Sequence, residues 1–224
     1  MKKLAWLLAL VSGCASQGGG GAPTQEERDS EMSSILAMAY DPAQLRVGQR
    51  AIYSVMRQGE GSPRYVQLQV VAQDGDTMWV ELKLPIDPRP MVVKSRLDRA
   101  GKLHEQWVGE PGSTGPAKTY PRPDGKPVEP PRAGDSRADV SVADETVTVG
   151  GRQYACKKVT TKLTYGGGKQ SVMINWCHPE VPFSFKLGAD SLGGVVKRVY
   201  GRYAMELTVA SQTGARSELE IPRK

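Results

Sequence analysis

The stretch "RYVQLQVVAQDGDTMWVELKL", residues 64–84, decides the fold class. Val66, Leu68 and Val70 alternate with Tyr65, Gln67 and Gln69. After the Asp74-Gly75-Asp76 turn, Met78, Val80, Leu82 and Leu84 take up the same period of two. Successive side chains of a strand point to opposite faces, so this pattern predicts an antiparallel hairpin with one face in the core and the other in water. "MVVKSRL" from Met91 and "KLHEQWV" from Lys102 continue the alternation beyond short turns. The expectation is a meander of antiparallel strands.

The same pattern extends towards the C-terminus. "VSVADETVTV", "RQYACKKVTTKLTY", "SVMINWC", "GVVKRVY" and "RYAMELTVAS" read as strands, with a short tail, "SELEI", after them. Between the two groups of strands, residues 109–137 carry seven prolines and five glycines. That composition buries too little apolar surface to offset its ordering and predicts a long loop, an exposed connector or a binding loop. "VGQRAIY" at 47–53 and "VGGRQY" at 149–154 look alike because both are turn chemistry ahead of a strand.

Upstream, "TQEERDSEMSSILAMAYDP" carries a helix signal. Thr24 and Glu27 make a capping box, and Met32, Ile35, Leu36, Ala39 and Tyr40 recur at helical spacing until Asp41-Pro42. A helix with one apolar stripe needs a surface to lie on. The predicted fold is therefore mainly β, an N-terminal amphipathic helix packed on a curved, half-barrel-like antiparallel meander. This order of elements resembles the LolA and LolB group, periplasmic proteins that carry or receive lipoproteins in an unclosed β-barrel. The resemblance is one of architecture, without a residue motif, and implies at most a lipid or lipoprotein carrier or acceptor.

The chain opens "MKKLAWLLALVSGCASQGGGGAP": Lys2 and Lys3, an apolar run from Leu4 to Val11, small residues, then Cys14. This is the layout of a secretory signal, and its apolar run is far below the roughly 20 residues that span a bilayer. No later stretch is long or apolar enough to span either. Val11-Ser12-Gly13-Cys14 resembles the lipobox of bacterial lipoproteins. The resemblance implies a signal peptide over 1–13, diacylglycerol and acyl chains on Cys14, and a stable lipid anchor. Ala15, where that family uses aspartate for inner-membrane retention, implies the outer membrane, facing the periplasm. Residues 14–23 form a glycine-rich tether. A single domain over 24–224 follows, consistent with its length.

The formal charge of +6 includes Lys2 and Lys3, and the remaining basic residues are scattered among acidic ones. A nucleic-acid partner would show a basic stripe with interleaved aromatics, and this chain has none. An acyl chain or an envelope protein is the kind of partner the anchor and sheet suggest, and the sequence assigns no ligand-binding residue. "GGGKQS" lacks the upstream glycine of a phosphate loop and the Ser or Thr directly after its lysine, and "DGDT" is explained by a hairpin turn. Neither a cofactor nor a metal site is expected.

The chain has three cysteines and two histidines, and Cys177-His178 stand side by side. Neighbouring residues of a strand diverge, which argues against a thiol with its own base. Zinc would want about four ligands, and His104 is the only other histidine. With Cys14 lipidated in an oxidising compartment, Cys156 and Cys177 remain to pair. Placing Thr164 opposite Lys169 sets Cys156 directly against Cys177 and Val159 against Ile174. The sequence thus predicts a disulfide across this hairpin, worth about 3 kcal/mol. No catalytic residues are assigned, and the expected function is a non-enzymatic, membrane-anchored envelope protein that binds a partner.

Overall fold

The computed structural model describes residues 40–85, 89–112, 118–119, 137–164 and 170–220. In chain order the strands are β1 Arg50–Arg57, β2 Arg64–Asp74, β3 Thr77–Leu84, β4 Met91–Asp98, β5 Leu103–Gly109 and β6 Lys118–Thr119. They continue with β7 Arg137–Val149, β8 Arg152–Thr164, β9 Gln170–His178, β10 Ser184–Leu187, β11 Asp190–Tyr200 and β12 Tyr203–Ser211. All pairings are antiparallel, in the order β6-β5-β4-β3-β2-β1-β12-β11-β9-β8-β7, with β10 paired to β11 beside this path. The expected mainly β, antiparallel curved sheet is what forms.

Curvature comes from irregular pairing. Register shifts at Ile52/Tyr53, Val70/Ala72, Arg96/Leu97 and Val195/Lys197 each bend a strand, as an extra residue on one side of a ladder does. The bending is strong enough that β7 returns to touch β12, although β11, β9 and β8 lie between them in the sheet.

Alternation then builds the core. Tyr53 pairs with Val66 on one side and Leu207 on the other, Leu68 pairs with Leu82, and Val70 with Val80. These side chains share one face with Ala51, Val55, Met78 and Met205, all buried except Leu82, which is half-buried. Towards β5 the same face opens, leaving Leu82, Val93, Leu97 and Val108 half-buried.

The opposite face of β2 to β5 is not solvent, as the alternation of Gln67 and Gln69 predicts. Residues 215–220, most of them the short tail expected after the last strand, form no strand and cross this face as a strap. Buried Glu81 receives Ser217 Oγ at 2.6 Å, the Glu218 amide at 2.9 Å and Gln69 Nε2 at 2.9 Å, and pairs with Lys94 at 3.2 Å. Lys94 also donates to the Leu219 carbonyl at 2.8 Å, and Gln69 to that of Arg216 at 2.7 Å. Leu219 is fully buried on Val92 and Trp107. A polar face can be buried only when its donors and acceptors are matched, and the strap matches them.

Two expectations need revision. The helix predicted from Thr24 lies outside the described residues up to 39. Its predicted last residue, Tyr40, is extended and bridges Phe185. The disulfide does not form, and Cys156 and Cys177 are both free and buried. Thr164 pairs with Gln170 rather than Lys169, so Lys157 stands opposite Cys177 and Val159 opposite Asn175. Cys156 thereby points to the other face of the sheet. Apolar matching misled here because the interior at this point is polar: fully buried Arg198 donates from Nε to Asn175 Oδ1 at 2.5 Å.

Candidate functional site

One end of the sheet carries an open pocket of about 610 Å³. Its first wall is the turn chain ahead of β1. Asp41 caps a single 3-10 turn over Pro42–Gln44, its carboxylate accepting from the Ala43 amide at 3.2 Å. Leu45 plugs the core end, and its carbonyl accepts from Arg99 Nη1 at 2.9 Å. Gln49, also buried, accepts from the Arg46 amide at 2.9 Å and donates to Gln212 Oε1 at 3.1 Å. Gly48, with φ of 98°, makes the sharp reversal that lets its carbonyl accept from the Ala215 amide.

The second wall is the segment "HPEVPF" between β9 and β10. It folds back on Gly193 and Gly194, where a Cβ would collide with the backbone of His178 and of Pro182. The Gly194 amide donates to the Val181 carbonyl at 2.9 Å, and the Gly193 amide to Ser184 Oγ at 2.8 Å. Ser184 and Ser191 share a hydroxyl hydrogen bond of 2.6 Å. Phe183 sits at φ of 63°, a left-handed conformation that costs a bulky residue on the order of 1–3 kcal/mol. It is held there by burial and by an edge contact with the Tyr40 ring at 6.1 Å.

Two tight walls thus leave a space lined by Val47, Val181 and Phe183 together with Gln44, Gln49, Gln212 and Ser191. Arg46 stands exposed at the rim and has no ion pair with any described residue. A mixed apolar and hydrogen-bonding lining around a concavity of this size suits a small ligand or a peptide side chain.

The residues singled out from the sequence are scattered. Cys14 lies outside the described residues, as does most of 109–137. Of that loop, Lys118–Thr119 pair with Trp107 and Val108. Cys177 faces Arg198 and Tyr53 in the interior, and burial pushes its thiol up to about 12, with Arg198 pulling down and Cys156 pushing up. Burial, then Glu145, pushes the Cys156 thiol up to about 11. Such thiols stay protonated and are poor nucleophiles. His178 turns away from Cys177, stacks edge-on against Tyr154 at 5.4 Å and accepts from the Glu180 amide through Nδ1 at 3.3 Å. His104 pairs with Asp98 at 3.0 Å on the surface. Hydrogen bonds from the Lys102 amide and then His104 hold the Asp98 carboxyl below its ordinary value. Among the described residues no group of three His, Cys, Asp or Glu side chains could hold a metal ion.

Sequence reading missed the pocket residues Gln44, Arg46, Gln49 and Gln212. The signal available was the pair of proline- and glycine-rich turns, "DPAQLRVGQ" and "HPEVPF", whose meeting depends on strand order and not on local pattern. No protein-family model, curated protein or solved structure matches this chain.

Proposed function

We propose that this chain is a bacterial outer-membrane lipoprotein, anchored through lipidated Cys14, whose sheet domain faces the periplasm and binds an envelope component without catalysing a reaction. The observation that carries the binding role is the end pocket, lined by strained Phe183 and by Arg46, Gln44, Gln212 and Ser191. The anchor rests on the run Val11-Ser12-Gly13-Cys14 and its position after a short apolar segment. Palmitate labelling of cells expressing the chain tests the anchor. Label is expected in the wild type and absent from a Cys14→Ser variant; an unlabelled wild type ends this reading.

A lipid or lipoprotein acceptor is the second reading, and the half-buried apolar residues Leu82, Val93, Leu97 and Val108 favour it. Weighing against it, Tyr53, Val66, Val159 and Met205 fill the interior elsewhere, all fully buried. Mass spectrometry of lipids extracted from the purified protein separates the two. A stoichiometric lipid supports the acceptor, and lipid-free protein supports the binding module.

A further inference from the structure

Strand β7 has β8 along one side and no described strand along the other. It is 13 residues long, without a glycine or proline, and residues 137–144 are exposed on both faces. Val140 is 42% and Val142 48% exposed. The opposite edge of the sheet, β6, is only two residues. A long, regular edge presents a row of outward N–H and C=O groups, a template for another strand.

We propose that a second copy of this chain adds to that edge, β7 against β7, antiparallel about a two-fold axis at Ser141. A two-fold axis perpendicular to a continuous sheet keeps each face on its own side, so some residue of β7 must pair with itself. Centred on Ser141, Arg137 falls opposite Glu145 and Val140 opposite Val142, each pair occurring twice. The remaining opposed pairs set Asp139 against Ala143 and Ala138 against Asp144, so no like charges meet. Centring on Val142 instead sets Asp139 against Glu145, a repulsion made twice. Centring on Val140 leaves Arg137 opposite Ala143 and removes the ion pair. Charge and apolar matching therefore select one register.

The groups needed are at hand. Glu145 is held in place by Lys158 Nζ at 2.7 Å and Trp176 Nε1 at 2.9 Å, and a carboxylate has lone pairs left for a guanidinium. Among the described residues Arg137 engages only Asp139, at 2.9 Å and with 81% of its side chain exposed, an intrastrand pair worth little. The valines of the two copies would form one patch continuous with Val159, the residue opposite Val142 on β8.

Register-specific crosslinking tests this in the full chain carrying Cys14→Ser, where the native thiols left are buried. Ser141→Cys is expected to give a covalent dimer on mild oxidation, because self-opposed residues have the separation a disulfide requires. Asp139→Cys and Ala143→Cys should crosslink poorly alone and efficiently when mixed. Sedimentation should show a reversible dimer that Arg137→Glu, on an exposed side chain, weakens roughly tenfold. A monomer up to roughly 100 µM, or equal crosslinking at all three positions, overturns the proposal.

Discussion

Lys157 stands directly opposite Cys177 across β8 and β9, so Cys156, one residue earlier, lies on the far side of the sheet. Both thiols are buried and no bond joins them. Mass spectrometry of unreduced peptides should find both as free thiols, and a thiol reagent should modify neither until the protein is unfolded. Cys177→Ser, which places a hydroxyl among buried groups, should lower stability by about 1–3 kcal/mol in denaturant titration. A Cys156 to Cys177 peptide in native protein would contradict the register.

The same thiols give the fold an alkaline limit. Unfolded cysteine ionises near 9.0, whereas burial holds the Cys177 proton to about 12 and that of Cys156 to about 11. The folded state binds more protons above pH 9, so this stability is complete below that pH and is lost as pH rises. Arg198, pushed down to about 10 by burial, opposes the loss only above pH 10. Between pH 9 and 10 the wild type should lose about 1 kcal/mol per thiol, and Cys156→Ala with Cys177→Ala should flatten that slope. Urea unfolding at half-unit pH steps measures it.

How far the sequence was legible follows from what each strand touches. Arg64 to Leu84 was readable because strand alternation is local, and its inward residues meet apolar neighbours from β1 and β3. The solvent face assigned to Gln67 and Gln69 was wrong, because burial there comes from residues 215–220, far along the chain. Nothing in "SELEI" distinguishes a strand from a strap. The β8–β9 register failed for a related reason: Asn175 reads as an outward residue unless Arg198 is known to be inside with it. Polar groups buried against distant polar groups leave no periodic trace, and the end pocket is made of two such distant turns.

The strap predicts unequal costs for two ion pairs, one buried beneath it and one joining it to β3. Glu81 is 1% and Lys94 10% exposed, so Glu81→Ala leaves a buried ammonium and orphans two strap amides. That should cost about 3–5 kcal/mol. Lys83 meets Glu218 at 2.6 Å near the surface, with side chains 35% and 26% exposed, and Lys83→Ala should cost less than about 1 kcal/mol. Chemical denaturation compares them. Carboxypeptidase should also trim the Glu81→Ala protein faster, since the strap loses its anchor.

Two glycines of positive φ should respond differently to alanine. At Gly75, φ 57°, a Cβ meets nothing within 4 Å, so Gly75→Ala carries only the left-handed penalty of about 1–2 kcal/mol. At Gly193, φ 85°, the added carbon collides with the His178 carbonyl and the Pro179 nitrogen, which are backbone and cannot swing aside. Gly193→Ala must therefore lift the "HPEVPF" segment off β11, breaking the hydrogen bond from the Gly194 amide to the Val181 carbonyl and releasing Phe183 from its strained conformation. Its cost should exceed that of Gly75→Ala by at least about 2 kcal/mol. Hydrogen exchange should localise the damage: the Gly193 and Gly194 amides lose protection in Gly193→Ala and keep it in Gly75→Ala. Equal costs for the two variants would mean that the second wall of the pocket is not pressed on Gly193.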